Sequence, residues 1–339
     1  MEDSIETIVQ RLLGVLSMAK LIGKAPTFLN AVRQLPAVAR GDAAVLISGE
    51  TGTGKELVAR AIHYLGPRAA FPFVPVNCGS LPDTLMEDEL FGHERGAFTD
   101  AQSRRQGLVS YAENGTLFLD EVDALSPKAQ VGLLRVLQDR TFRPLGSSRE
   151  QRCNVRFIAA TNTSLSELVQ RGTFRADLYY RLCVFSIDLP PLRDRKEDIL
   201  HLAAHFTRKY AAADGPEPEL TVAARSALLA FDWPGNVREL ENAIVRGIQV
   251  TQTATIDVAD LGLPASFDLQ AGRRTGSDRG SFTIMKRQVI DAFERDYLTR
   301  LMSDHHGNVS HAARTAGKDR RDLGRLLKKH LLDPKLFAR

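Results

Sequence analysis

Cysteine is scarce in this chain, with three in 339 residues: Cys78, Cys153 and Cys183. None stands in a Cys-x-x-Cys or comparable ligand spacing, and an odd count this low does not make a disulfide framework, so the usage fits a reducing cytoplasm. Long apolar runs are also missing, and no stretch approaches the length that crosses a bilayer. Residues 1–20 place Ile5, Val9, Leu12, Leu13 and Leu16 at helical spacing among polar residues, which reads as an amphipathic helix. That segment lacks the basic start, unbroken apolar run and cleavage site of a signal peptide. No internal repeat of solenoid period is evident. What the chain does have is 43% hydrophobic residues, enough for sizeable cores in two or three domains.

Charge is unevenly spread. The net charge is +4, yet Lys286 to Arg339 alone holds 13 Lys and Arg against 7 Asp and Glu. The basic character is therefore C-terminal, the electrostatic footprint expected where a phosphate backbone is the partner.

Short apolar runs at 43–48, 73–76, 116–119, 155–160 and 184–189 alternate with stretches of helical spacing. That alternation predicts an α/β fold, a parallel sheet covered by helices on both faces. Beyond Pro190 and Pro191 the strand pattern stops, and 199–210, 222–231 and 237–251 all read as helices. From about Leu263 to Ser281 the composition turns to Gly, Arg, Ser and Asp without periodicity, a linker. The expected division is an N-terminal helix over 1–20, an α/β subdomain over 21–190, a helical lid over 191–260, a linker over 261–282 and a C-terminal domain over 283–339.

Gly49-Glu50-Thr51-Gly52-Thr53-Gly54-Lys55 lies between the first predicted strand and a helix, the setting in which glycine-rich backbone wraps phosphates and a lysine reaches the β and γ phosphates of ATP. Glu56 follows where Ser or Thr usually ligates Mg2+, so other groups must hold the metal. Asp120 and Glu121 end the apolar run 116–119, where open α/β sheets place ligands. Asp120 suits Mg2+, and Glu121 suits polarisation of an attacking water.

At these residues the chain resembles the AAA+ ATPases, and Glu89-Leu90-Phe91-Gly92-His93-Glu94-Arg95-Gly96-Ala97-Phe98-Thr99-Asp100-Ala101 narrows the resemblance to the activators of sigma-54 RNA polymerase. The resemblance spans about 22–250, with a second block at the C-terminus. It implies ATP hydrolysis, Mg2+ as cofactor, and a mobile loop over Gly96, Ala97, Phe98, Thr99, Asp100 and Ala101 that contacts the sigma factor. By the same resemblance Asn77 restrains the catalytic glutamate, Thr161 and Asn162 sense the γ phosphate, Arg175 and Arg181 reach a neighbouring subunit's ATP in a hexameric ring, and Arg238 reaches the nucleotide from the lid. Arginine suits that trans role because it is always charged and forked. The family usually has glycine where Asp100 stands. Aspartate tolerates a left-handed turn but adds one negative charge per subunit.

The C-terminal residues read independently as helix-turn-helix. Val309, Ala312, Ala313 and Ala316 share a face, Gly317 makes a turn, and Leu323, Leu326 and Leu327 form the stripe of a second helix, after a longer helix over 282–302. Arg321, Arg325 and Lys328, with Arg320 at the helix start, point away from that stripe and suit double-stranded DNA upstream of a promoter; a basic solvated helix is the plainer alternative. About 20 residues precede the ATPase block, too few for a sensory domain, so a separate regulatory protein is the expected source of control. The reading is thus a cytoplasmic, ATP-hydrolysing transcription activator acting on sigma-54 polymerase. Two others stay open: a DNA-binding ATPase regulator or repressor that does not remodel sigma-54 because of Asp100, and a different AAA+ remodelling machine.

Overall fold

The computed structural model describes residues 21–80, 82–98, 101–211, 218–251, 253–263 and, towards the C-terminus, 294, 297, 298, 301–303, 305 and 307–330. The expected helix over 1–20, Thr99 and Asp100 of the loop, the linker and most of the helix over 282–302 lie outside the described residues. Two compact units divide between Phe267 and Asp268.

The first unit is built on five parallel strands: β1 (Val45–Ser48), β2 (Phe73–Asn77), β3 (Thr116–Asp120), β4 (Arg156–Thr161) and β5 (Phe185–Asp188), in the order β2-β3-β4-β1-β5. β3 and β4 are apolar and buried along almost their whole length, as a strand covered on both faces must be. One core, around Leu117, Leu119 and Phe157, lies on one side of the sheet; another, around Val45, Ile47, Val58 and Ile158, lies on the other. Period-two alternation sends successive side chains of the same strand to the two cores. Register then aligns the carboxyl ends. Asn77 is opposite Asp120, and Ser48 is opposite both Thr161 and Asp188. The chain's polar and acidic strand-end residues therefore share one edge of the sheet.

Helix α1 (Lys55–Tyr64) follows β1 directly. Helix α2 (Asp83–Phe91) leads into a short antiparallel ribbon, Gly92–His93 with Arg105–Gln106, that carries the sigma-contact candidate between its arms. Helix α3 (Pro127–Asp139) starts at Ser126, whose hydroxyl accepts from Ala129 N at 3.2 Å, and a second ribbon, Thr141–Phe142 with Gln151–Arg152, follows it. Neither ribbon is legible as strand in the sequence, because two residues are too few for alternation to register. Helix α4 (Ala176–Leu182) precedes β5.

Past the sheet come α5 (Ile199–Tyr210), α6 (Val222–Ala230) and α7 (Asn236–Val250), packed around Trp233, Leu228, Leu240 and Ile244. Thr221 caps α6 through Ala224 N. In the second unit, α8 (Val309–Thr315) and α9 (Arg320–Lys329) pack through Ala312, Ala313, Leu323 and Leu327, with Leu298, Leu301 and Met302 completing the cluster. Asn308 caps α8, and Gly317 turns the chain at φ 61°.

Candidate nucleotide-binding site

Between β1 and α1 the chain turns through Gly49, Gly52 and Gly54, at φ 153°, 80° and 103°. Gly52 is fixed by more than its dihedral. A Cβ there would sit 2.2 Å from the carbonyl oxygen of Gly235, because the backbone of the lid crosses directly over the loop. Thr53 Oγ1 donates to Glu50 O at 2.8 Å, and Lys55 Nζ reaches Gly49 O at 2.7 Å and Glu50 O at 3.2 Å. The lysine thus lies along its own loop, its charge facing the same space the loop encloses.

That space is a cavity of about 250 Å³ lined by Thr51, Gly52, Gly54, Lys55, Glu56, Asn77, Asp120, Glu121, Arg238 and Glu241 among others. Strand ends, phosphate loop and lid converge on it. Burial pushes the Lys55 ammonium below its ordinary range, while Asp120, Asp123 and Glu121 push the other way. Glu121 sits in the left-handed region at φ 53°, an uncommon conformation for a glutamate, and its N–H donates to Asp120 Oδ1 at 3.0 Å. Cys78, just past β2, is inert: burial first, then the same carboxylates, push its thiol up to about 12.

The expected residues do not all point into the cavity. Glu56 lines it, yet its carboxylate pairs with Arg60 one turn on, at 2.7 and 2.9 Å. Asn77 Oδ1 accepts from Gly79 N at 2.8 Å, so its side chain closes its own turn. Thr161 is buried and donates to Asp123 Oδ1 at 2.7 Å; Asn162 Nδ2 lies 3.4 Å from Thr51 Oγ1, linking the β4 end to the phosphate loop. Glu50, read from sequence as a nucleotide contact, has its carboxylate committed elsewhere. Arg193 grips both oxygens at 2.6 and 2.8 Å, and Asn236 Nδ2 reaches one at 3.2 Å. The Arg193 guanidinium holds Glu50 below the usual carboxylate range.

Asn236 is the residue that sequence reading missed. Wholly buried and left-handed at φ 55°, it accepts from Leu192 N at 2.7 Å and donates to Thr51 O at 3.0 Å, while Val237 N donates to Gly52 O at 3.0 Å. These bonds fasten the lid to the phosphate loop and set Arg238 beside the cavity. The only sequence signal was its place between Gly235 and Val237, next to the arginine that drew attention.

Arg175 and Arg181 are both exposed, on α4 and at its start. Arg175 forks onto Asp177 at 2.7 and 3.0 Å, and its backbone N–H donates to Gln130 Oε1. In the loop, Gly96 N donates to Ala101 O at 2.9 Å and Ala101 N to Phe98 O at 3.0 Å, bringing its two ends together. Phe98 is 44% exposed. In the second unit, Arg320, Arg321, Arg325 and Lys328 are exposed on α9, while Leu323 and Leu327 are buried.

A family model described as the sigma-54 interaction domain matches residues 21–188, and one described as an AAA+ ATPase lid domain matches 193–276. The transcriptional regulatory protein GlrR of Escherichia coli (strain K12) is 44% identical over 318 residues, covering 94% of this chain and 69% of its own length. The regulatory protein AtoC of the same organism is 39% identical over 351 residues, with 98% and 76% covered. Among solved structures, NtrX from Brucella abortus in complex with ATP superposes at a TM-score of 0.69 and 33% identity, covering 95% of this chain and 72% of that one.

Proposed function

We propose that this chain, which belongs to the sigma-54-dependent transcriptional activators of the AAA+ class, turns ATP hydrolysis in the cavity above into movement of the Phe98 loop against the sigma factor. It is an ATPase of sigma-54-dependent activation. The observation that carries the finer reading is the convergence of Lys55, Asp120, Glu121 and Arg238 on one cavity under a glycine loop that no Cβ could share at Gly52.

The residues present fit ATP with Mg2+. Backbone N–H groups at the start of α1 and the Lys55 ammonium suit phosphate oxygens. Among the described residues no group of three or more His, Cys, Asp and Glu could cage a metal alone. Magnesium commonly needs only one or two carboxylates beside the substrate's phosphates, and Asp120 and Glu121 supply them. When bound, Mg2+ neutralises charge on the phosphates. Asp120 would hold it. Glu121 would orient the attacking water and accept its proton, with Arg238 countering charge from the lid. Asn77, Thr161 and Asn162 would register the state of the site through the sheet's edge.

Arg175 and Arg181, both outward-facing, would complete a neighbour's site, so the working form is a homo-oligomeric ring, a hexamer by the family pattern. The basic face of α9 would tether it to double-stranded DNA upstream of promoters. Residues 21–190 and 191–260 would be the ATPase and its lid, 261–282 a linker and 283–339 the DNA reader. The setting is the cytoplasm; no helix among the described residues is long and apolar enough to cross a membrane. A separate regulatory protein would supply control.

Promoter opening by purified sigma-54 polymerase, with ATP and either the natural Asp100 or Asp100→Gly, tests this reading. ATP-dependent opening by the natural chain is expected. Opening by Asp100→Gly alone would favour the DNA-binding regulator that does not remodel sigma-54, and opening by neither would overturn the loop assignment.

A further inference from the structure

The loop is fastened at its base by one imidazole. His93, at the end of the ribbon's first arm, is 8% exposed, and both ring nitrogens are engaged: Nδ1 lies 2.6 Å from Asp88 Oδ1 on α2, and Nε2 lies 2.9 Å from Ser103 O on the returning arm. The ring is thus held from both of its nitrogens. The ring also meets Phe98 in an edge-to-face contact, with centroids 4.9 Å apart and planes at 66°. Around this clamp Arg105 pairs with Glu89 at 2.7 Å and stands 3.6 Å from Asp88 Oδ2, while Arg104 lies 3.4 Å from Glu94.

We infer that His93 is a positioning residue for the sigma contact, an inference that rests on the loop assignment made above. From the first arm its side chain reaches α2 at Asp88, the returning segment at Ser103 and the aromatic ring of Phe98, contacts that the backbone pairing of the ribbon does not make. Without it, an exposed phenylalanine is anchored by backbone alone: Gly92 with Gln106 and His93 with Arg105 in the ribbon, and Leu145, which donates to Gly92 O at 2.8 Å and accepts from Glu94 N at 2.9 Å. A helix displaced by events in the ATP cavity would then move without carrying Phe98 along. His93 touches neither the cavity nor the strand ends, so its loss separates motion from hydrolysis.

The test compares the full chain with His93→Ala, His93→Gln and Asp88→Asn, measuring promoter opening and ATP hydrolysis on the same preparations. His93→Ala should lower promoters opened per ATP hydrolysed by at least tenfold. Asp88→Asn, which keeps an oxygen acceptor for the ring, should recover most of that coupling, and His93→Gln, able to reach one partner, should fall between. Trypsin supplies a reading independent of transcription: cleavage after Arg95 and Arg104 should quicken in His93→Ala while cleavage elsewhere in the chain proceeds at the wild-type rate. Should neither the wild-type chain nor Asp100→Gly open a promoter, the loop assignment would sink, yet faster cleavage in His93→Ala would still support the clamp. Equal coupling and equal cleavage in wild type and His93→Ala would overturn it, as would hydrolysis and opening falling in proportion.

Discussion

At the scale of single residues, the greatest leverage belongs to groups that serve the backbone. Asn236→Ala removes the acceptor of Leu192 N and the donor to Thr51 O at a fully buried position, and leaves a residue poorly suited to φ 55°. Leaving such groups unpaired should cost about 2–3 kcal/mol, read as a lower urea midpoint, together with a higher KM for ATP. If only stability fell and KM held, the lid contact would be irrelevant to binding. His63 gives a pH signature. Enclosed beside Thr116, with Nε2 unpartnered among the described residues, it is pushed by burial below its ordinary value of 6.5, and His205 is pushed the same way. The unfolded chain therefore takes up these protons first, so their share of stability is fully present above pH 6.5 and is lost as pH falls from there through the lower folded-state values. Urea unfolding at pH 7.5 and 5.5 should show the drop, and His63→Gln should flatten it in part.

Among the elements, two glycines behave oppositely. Gly52→Ala sets a methyl group against Gly235 O and should abolish hydrolysis in a chain that still folds, detected as lost phosphate release with an unchanged circular dichroism spectrum. Gly324 lies within α9, and a Cβ there meets nothing within 4 Å. Gly324→Ala should stabilise the second unit by about 0.5–1 kcal/mol, seen as a raised midpoint for that unit's transition. The three central strands were legible because buried strands read as apolar runs, the edge strands β2 and β5 through the short apolar stretches they keep although mostly uncovered, and the phosphate loop because its glycines fall at a fixed spacing. Asn236 and His93 were not, since a polar residue's worth depends on which distant backbone groups it meets. Arg195 is a similar case: a charged residue only 3% exposed, lying over Phe28 and donating to Thr53 O, in a run of charged residues between the sheet and the lid helices. Glu50 was legible as part of the loop, but its partner Arg193 is far along the chain, and no local pattern announces such a pairing.

For the whole molecule, the proposed exchange of arginines between subunits makes an assembly prediction. Lys55→Ala and Arg181→Ala should each be inactive alone, and mixing them should restore part of the hydrolysis, because a mixed ring contains sites with an intact lysine and an intact neighbouring arginine. No recovery on mixing would place Arg181 outside the neighbour's site. In the proposed ring Arg175 would enter the boundary from its fork onto Asp177, so Asp177→Asn should lower the protein concentration at which hydrolysis per chain reaches half its maximum. Trp233 is the sole tryptophan, fully enclosed, its indole N–H bonded to Leu228 O at 2.8 Å. Its carbonyl accepts from Asn236 N at 2.8 Å, at the root of the turn that meets the phosphate loop. The chain thus carries a built-in optical gauge: excited beyond the absorption of its six tyrosines, its emission follows this turn alone, and nucleotide traffic can be timed in stopped flow without a dye.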